Sequence, residues 1–283
     1  MTVLEVLNAA AGYLRDRGVE SPRLNAEHLL AHVLGKRRLD LYLEFDRPLS
    51  EAERAPVRAL IRERAAGKPL QHLLGTAAFF GRSFLCDSRA LVPRPETEQL
   101  VELILKDLRC RHGKLRILDI GTGSGVIAIT IALELPSAEV IATDVSRDAL
   151  SLARENADRH AVEGRIRFYE TDLFPPDEAR FDCIVANPPY IATSELASLP
   201  LEVLHDPHVA LDGGSDGLAL IRRLIDASVD RLLPTGILAM EIGYEQADAV
   251  AGQLSSNNYR KILVHKDYQG IRRFIIACSP ERS

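Results

Sequence analysis

The chain has 283 residues, 46% of them hydrophobic, which is enough apolar material for one large domain plus a small one. Its 40 acidic side chains outnumber 35 basic ones, giving a formal charge of −5 and a pI of about 5.9. Such a chain carries no basic footprint for a nucleic-acid backbone, so no direct nucleic-acid binding is expected. Cys86, Cys110, Cys183 and Cys278 are scattered without a Cys-x-x-Cys pair, and read as buried reduced thiols, with neither metal nor disulfide expected. The N-terminus lacks an apolar signal core and no stretch approaches a membrane span, so a cytoplasmic protein without a membrane partner is expected.

Residues 1–75 read as a small helical domain. Leu4, Leu7, Ala11 and Leu14 repeat at helical spacing, with Gly18 as a stop. Ser21-Pro22 predicts a cap and a proline at the first helical position, leading into Leu29, Leu30, Val33 and Leu34. Ser50 with Glu53 forms a capping-box pattern for a third helix to about Gly67, on which alternating Arg and Glu predict a solvated face. No chemistry is visible here, so a docking role for a protein substrate is expected. Over 76–95, Phe79, Phe80, Phe84 and Leu85 flank Gly81-Arg82 and predict a β-hairpin linker. In Pro93-Arg-Pro-Glu-Thr-Glu98 the prolines hold the chain extended before acidic residues open a helix.

The second domain, 96–283, alternates strand and helix, with strands predicted at 115–120, 138–143, 166–170, 181–186 and 236–242. That alternation implies an α/β fold, a doubly wound Rossmann-like parallel sheet covered on both faces. Lys261–His265 and Arg272–Ala277 are joined only by a short turn carrying Gly270, too short for a parallel crossover. The sheet should therefore end in an antiparallel hairpin, which resembles the S-adenosylmethionine methyltransferase fold and not a nicotinamide-binding one.

Two stretches carry the chemistry. Ile117–Gly125 reads as a strand turning into a helix through Gly121, Thr122, Gly123, Ser124 and Gly125, where glycines let the backbone come within contact distance of a ligand. A dinucleotide fingerprint would need glycine at 126, which is Val. Asp144 ends the next strand, where a carboxylate can accept from both hydroxyls of a ribose, and Ser146 is the better cap for the following helix. Leu173, with Asp172, should border an adenine, while Asp119 orients backbone and water. The other stretch is Phe181–Ile191. Ile184, Val185 and Ala186 predict a buried strand that Pro188 and Pro189 must stop, leaving Asn187 at its carboxyl end. The Asn187 side-chain carbonyl and the Pro188 backbone carbonyl are two acceptors on one stiff turn, suited to the two hydrogens of a planar NH2 group against which Tyr190 can lie. The long segment 191–215 has little pattern and suits a substrate-covering lid, with no role assigned to His205 or His208.

Taken together, Lys68–Gly75, Pro93–Glu98, Asp119–Gly125, Asn187–Tyr190 and the segment from His205-Asp-Pro207 to Gly217 closely resemble the glutamine methyltransferases of peptide chain release factors, over nearly the whole chain. The resemblance implies methyl transfer from S-adenosyl-L-methionine to the side-chain amide nitrogen of the glutamine in the Gly-Gly-Gln loop of class 1 release factors. It also implies that Gly121 to Gly125, Asp144, Leu173 and Asn187 contact the cofactor, and that Asn187, Pro188, Pro189 and Tyr190 hold the substrate, with Asn187, Pro188 and Tyr190 as the catalytic set. Leu173 stands where the family often carries an aromatic, and Asp206 where it usually carries Glu. Asn-Pro-Pro-Tyr alone is shared with enzymes that methylate exocyclic amines of DNA or RNA bases, which is the alternative reading.

Overall fold

The computed structural model describes residues 1–177 and 179–281. The chain divides into two compact units, Met1–Ala77 with Pro200–His205, and Ala78–Leu199 with Asp206–Ser283.

In the first unit, α1 (Val3–Arg15), α2 (Pro22–Leu34), α3 (Glu51–Ala65) and α4 (Leu70–Leu74) bury Leu7, Leu14, Leu29 and Leu30 in a common core. Thr2 with Glu5 and Ser50 with Glu53 form reciprocal capping boxes that satisfy the otherwise orphaned first-turn amides. Ser21 departs from expectation: it is left-handed (φ 46°) and its side chain caps nothing. Pro22 starts α2 instead, and the buried Asn25 amide turns back to donate to the Glu20 and Ser21 carbonyls. The face of α3 is also not wholly solvated. Arg64 is buried, donating to Asn25 Oδ1 at 2.8 Å and the Lys68 carbonyl at 3.1 Å, and pairing with Glu202 of the Pro200–His205 segment.

The second unit opens within the expected hairpin, whose strands are β1 (Thr76–Phe79) and β2 (Arg82–Leu85), turned by Phe80 and Gly81, both at positive φ as a two-residue hairpin turn requires. Phe79 and Phe84 meet edge to face and are buried in the core of this unit. Then come α5 (Pro95–Leu108), β3 (Arg116–Ile120), α6 (Val126–Glu134), β4 (Glu139–Asp144), α7 (Arg147–Arg159), β5 (Ile166–Glu170), β6 (Phe181–Ala186), α8 (Ala219–Arg231), β7 (Leu232–Glu241), α9 (Ala247–Ser256), β8 (Arg260–Lys266) and β9 (Arg272–Cys278).

The seven strands lie in the order β5-β4-β3-β6-β7-β9-β8, parallel except that β9 runs against both β7 and β8. Side chains alternate between faces with the period of two. Ile117, Val140, Val185 and Ala239 meet α5 and α6 on one face, while Leu118, Ile141, Ile184 and Leu238 meet α8 and α9 on the other. Helix α6 is apolar all round and buried from Val126 to Ala132.

From β3 the chain steps outward through β4 and β5, then returns to place β6 on the other side of β3. The strand order reverses there, and open α/β sheets bind ligands in the crevice at such a point. Ile120 pairs with Thr143 on one side and Ala186 on the other, so Gly121, Asp144 and Asn187 leave the sheet at the same level.

All four cysteines are free. Cys86 and Cys183 are buried as expected, with burial pushing the Cys86 thiol up to about 12, but Cys278 is half-buried and Cys110 exposed, being at the end of a surface helix. Among the described residues no helix is long and apolar enough to cross a membrane.

Candidate active site

A cavity of about 560 Å³ lies at this reversal of strand order, in the second unit. One wall is the glycine turn. Gly121, Gly123 and Gly125 have φ of 68°, 55° and 83°, a region that side chains with a Cβ rarely adopt. A Cβ on Gly121 would stand in open space, whereas one on Gly125 would come within 3.2 Å of Ala153 and Ile129. Gly121 thus keeps the cavity wall bare backbone, and Gly125 lets α6 and α7 close up behind it. The turn is braced from below. Thr122 donates its hydroxyl to Asp119 at 2.6 Å, and Ala128 N–H donates to the same carboxylate oxygen at 3.1 Å. Asn156, fully buried, donates to the Ser124 carbonyl at 2.9 Å. Burial raises the Asp119 carboxyl to about 7, against those two bonds, and its Oδ1 has no partner among the described residues.

Asp144 lines the next part of the wall. Its two oxygens accept from Gly123 N–H at 2.9 Å and Ser146 N–H at 2.8 Å. Burial raises its pKa while these N–H groups pull it down. Val145 N–H also donates to this carboxylate, which keeps acceptor capacity beyond those three N–H groups. Ser146 is the α7 cap, as its position suggested, accepting from Ala149 N–H. Beyond lies Leu173, at a φ of 70° that is costly for a side chain with a Cβ, held there by Thr143, whose hydroxyl donates to its carbonyl at 2.7 Å.

Opposite the glycine turn stands Asn187. Its Nδ2 donates to Thr97 Oγ1 at 3.1 Å, and the Thr97 hydroxyl donates to Glu241 Oε2 at 2.7 Å. Thr97 and Glu241 are 3% and 1% exposed, so both bonds are shielded from water. Asn187 Oδ1 has no partner among the described residues. Tyr190 turns its hydroxyl to Glu241 Oε1 at 3.3 Å, and burial pushes both the Tyr190 phenol and the Glu241 carboxyl upward.

A further side is built by Ala90, Leu91, Pro93 and Arg94. Asp206 fixes this extended stretch, accepting from Val92 N–H at 3.1 Å and Arg94 Nη2 at 2.8 Å. The 191–215 segment forms short 3-10 turns, and its ends are stitched together by Ile191 N–H to the Leu211 carbonyl and Gly213 N–H to the Ile191 carbonyl. Pro207, Val209, Ala210 and Asp212 to Gly214 reach the cavity, whereas Pro200–His205 belongs to the first unit. His208 sits between Pro207 and Val209 without itself lining the cavity, and His205 lies in the first unit.

Of the residues singled out in the sequence, Gly121, Thr122, Gly123, Ser124, Asp144, Leu173, Asn187 and Pro189 line the cavity together. Gly125 lies just behind it, and Thr122 spends its side chain on Asp119. Pro188 is buried and, like Tyr190, is not part of the lining. Thr97, Glu241, Asn156 and Asp206 were not assigned roles from sequence. The signal for Glu241 was present: a carboxylate closing the apolar run Ile237-Leu-Ala-Met of a central strand is costly unless hydrogen-bonded. Among the described residues, no group of His, Cys, Asp and Glu is placed to hold a metal ion.

The PrmC N-terminal domain family model matches residues 5–75, and the methyltransferase small domain model matches residues 96–248. The chain is 42% identical to a release factor glutamine methyltransferase of Geobacter sulfurreducens over 276 residues, covering 97% of this chain and 95% of that protein. It is 41% identical to a release factor glutamine methyltransferase of Chlorobaculum tepidum over 282 residues, covering 96% and 95%. A solved methyltransferase structure from Pyrococcus furiosus superposes with a TM-score of 0.54 at 21% identity, covering 72% of this chain and 92% of that one, and so shares its fold.

Proposed function

Since the chain belongs to the release factor glutamine methyltransferase family, we propose that it methylates the side-chain amide nitrogen of the glutamine in the Gly-Gly-Gln loop of class 1 peptide chain release factors, with S-adenosyl-L-methionine as methyl donor. The observation that carries this reading is Asn187. It lines the cavity level with the glycine turn and Asp144, and its amide is anchored through Nδ2, which leaves Oδ1 free to act as an acceptor.

The walls fit the cofactor by their chemistry. A bare backbone turn at Gly121 to Gly125 accepts close approach of an amino-acid moiety, and the Asp144 carboxylate keeps acceptor capacity toward the ribose hydroxyls. Leu173 offers an aliphatic face to a planar base. When bound, S-adenosyl-L-methionine supplies an electrophilic methyl group. What this chain adds is position and electrostatics.

An amide nitrogen is a weak nucleophile because its lone pair is delocalised into the carbonyl. Asn187 Oδ1 and the Pro188 carbonyl would accept its two N–H bonds, fix its rotation and favour a more tetrahedral nitrogen with the lone pair aimed in line. Such alignment alone accounts for several kcal/mol of a barrier. Tyr190, tied to Glu241, braces the turn that carries both acceptors. No strong base is needed before transfer, since the nitrogen becomes acidic once alkylated and loses its proton to water.

The helical unit is the docking surface for the protein substrate in this reading. It exposes Leu39, Tyr42 and Leu43 on one 3-10 turn and contains no element of the cavity. The direct test is mass spectrometry of a class 1 release factor after incubation with this protein and isotope-labelled S-adenosyl-L-methionine. A gain of about 14 Da plus the mass of the isotope label is expected on the Gly-Gly-Gln glutamine, about one methyl per chain. Labelling only of a nucleic-acid base supplied alongside would sink the proposal.

A further inference from the structure

Buried beside the cavity is a carboxylate that the methyl-transfer reading uses only as an anchor for Tyr190, and its bonding has a direction. Glu241 lies at the end of β7, Thr97 in the first turn of α5 and Asn187 just past β6, so three elements meet there. The Thr97 hydroxyl has one proton, and it donates that proton to Glu241 Oε2 at 2.7 Å. Thr97 Oγ1 is then left with acceptor capacity only, and the group that reaches it from the other side is Asn187 Nδ2 at 3.1 Å.

We infer that Glu241 and Thr97 are positioning residues that hold the Asn187 amide in one of its two orientations, with Oδ1 presented to the cavity as an acceptor. The inference rests on the methyltransferase reading above for its consequence, but its geometry stands without it. An asparagine side chain is nearly symmetric in shape, and rotating it by half a turn exchanges an acceptor for a donor. In the reversed orientation Nδ2 would face the substrate NH2, donor against donor. Hydrogen-bond direction is the only thing that distinguishes the two. Here it is set by a carboxylate, which accepts only, acting through a hydroxyl that can donate once. Shielding from water makes the reversed arrangement costly, because Thr97 and Glu241 have no solvent to compensate a mismatched pair. Tyr190 donates to the other Glu241 oxygen at 3.3 Å, so the same carboxylate ties down both ends of the Asn187–Tyr190 turn.

The test compares Thr97→Val, which keeps shape and removes the hydroxyl, with Thr97→Ser, which keeps the hydroxyl. With a class 1 release factor as substrate, Thr97→Val is expected to lower kcat by about 30-fold or more, since a freed amide loses one preorganised contact, while KM and S-adenosyl-L-methionine affinity stay within about threefold. Thr97→Ser should restore at least roughly a third of wild-type kcat. The inference is overturned if Thr97→Val stays within about threefold of wild type, if both variants are equally impaired, or if the loss lies wholly in KM. Should Thr97→Val not fold, Glu241→Gln is read by the same thresholds, because its amide can donate to Thr97 and reverse the chain of bonds.

A second measurement needs no substrate. The Asn187 side-chain NH2 signals, assigned by their loss in Asn187→Asp, should be protected from solvent exchange in wild type and Thr97→Ser and unprotected in Thr97→Val. Protection unchanged across all three would overturn the relay. A wild type that transfers no methyl to a release factor yet shows the expected pattern would instead refute the functional reading alone.

Discussion

Replacing Asn187 by alanine removes two things of unequal weight. The first is Oδ1, the acceptor in the cavity. The second is the Nδ2 donor to Thr97 Oγ1 at 3.1 Å. Thr97 keeps its own donation to Glu241, so the protein loses one neutral hydrogen bond and strands one hydroxyl lone pair. That costs about 1 kcal/mol of stability, small beside the roughly 5–15 kcal/mol of a folded domain. The rate effect is larger. One preorganised polar contact to the reacting group is worth about 100- to 1000-fold in turnover, or roughly 3–4 kcal/mol of barrier. The variant should therefore stay folded with a melting temperature within a few degrees of wild type, while single-turnover methyl transfer at saturating cofactor and release factor falls by two to three orders of magnitude, on the order of one lost oxyanion-type contact. Release-factor binding should change less, because most of the docking surface is untouched. Asn187→Asp keeps oxygen acceptors but cannot donate to Thr97 and adds charge, so it should be slow despite its near-identical shape. A folded Asn187→Ala protein turning over within a few-fold of wild type would show that the amide is gripped elsewhere.

Asp144→Ala should weaken S-adenosyl-L-methionine binding by about 1.5–3 kcal/mol in calorimetry, and unchanged affinity in a folded variant would refute its ribose role. Leu39→Glu with Leu43→Glu, both at exposed positions, should raise KM for an intact release factor by about tenfold and leave cofactor affinity alone, consistent with loss of an apolar contact; an unchanged KM argues against docking through this turn. Gly217→Ala would place a Cβ 2.3 Å from the Tyr190 carbonyl at a φ of 73°, so urea unfolding should show a loss of more than about 1 kcal/mol together with lost methyl transfer. Gly252→Ala, in α9 with open space around it, should be neutral or stabilising by comparison. Asp119 is raised by burial from 3.8 to about 7. Its contribution to stability is therefore fully present below pH 3.8 and is lost as pH rises to about 7, by at most about 1.4 kcal/mol per pH unit. Asp119→Asn should lack this slope, so its stability relative to wild type should improve between pH 4 and pH 7 in urea titrations, and parallel curves would contradict it.

Sequence alone determined the features that follow from nearest neighbours along the chain. The strand runs around Ile117, Val140 and Ile184 are apolar on both faces because helices cover both, and that shows as continuous hydrophobic runs. Gly121, Gly123 and Gly125 announce a turn that only positive φ can make, and Pro188 with Pro189 forces β6 to end at Ala186. The short Gly270 turn required the antiparallel ending that β8 and β9 show. Where a side chain's role depended on distant partners, local reading failed: Arg64 left the solvated face of α3 for Asn25 Oδ1, 39 residues away, and for the Glu202 carboxylate, 138 residues away. The same separation hid the support of the active site. Asn187 was legible because it must sit at a strand end, but its partner Thr97 is 90 residues distant and Glu241 is 144 residues from Thr97. A carboxylate in a buried strand says that it needs partners without saying which. Only the pairing of β6 with β7, and the packing of α5 against that sheet, bring a hydroxyl and an amide to it, because hydrogen bonds act over about 3 Å and the chain path between their ends is invisible to them.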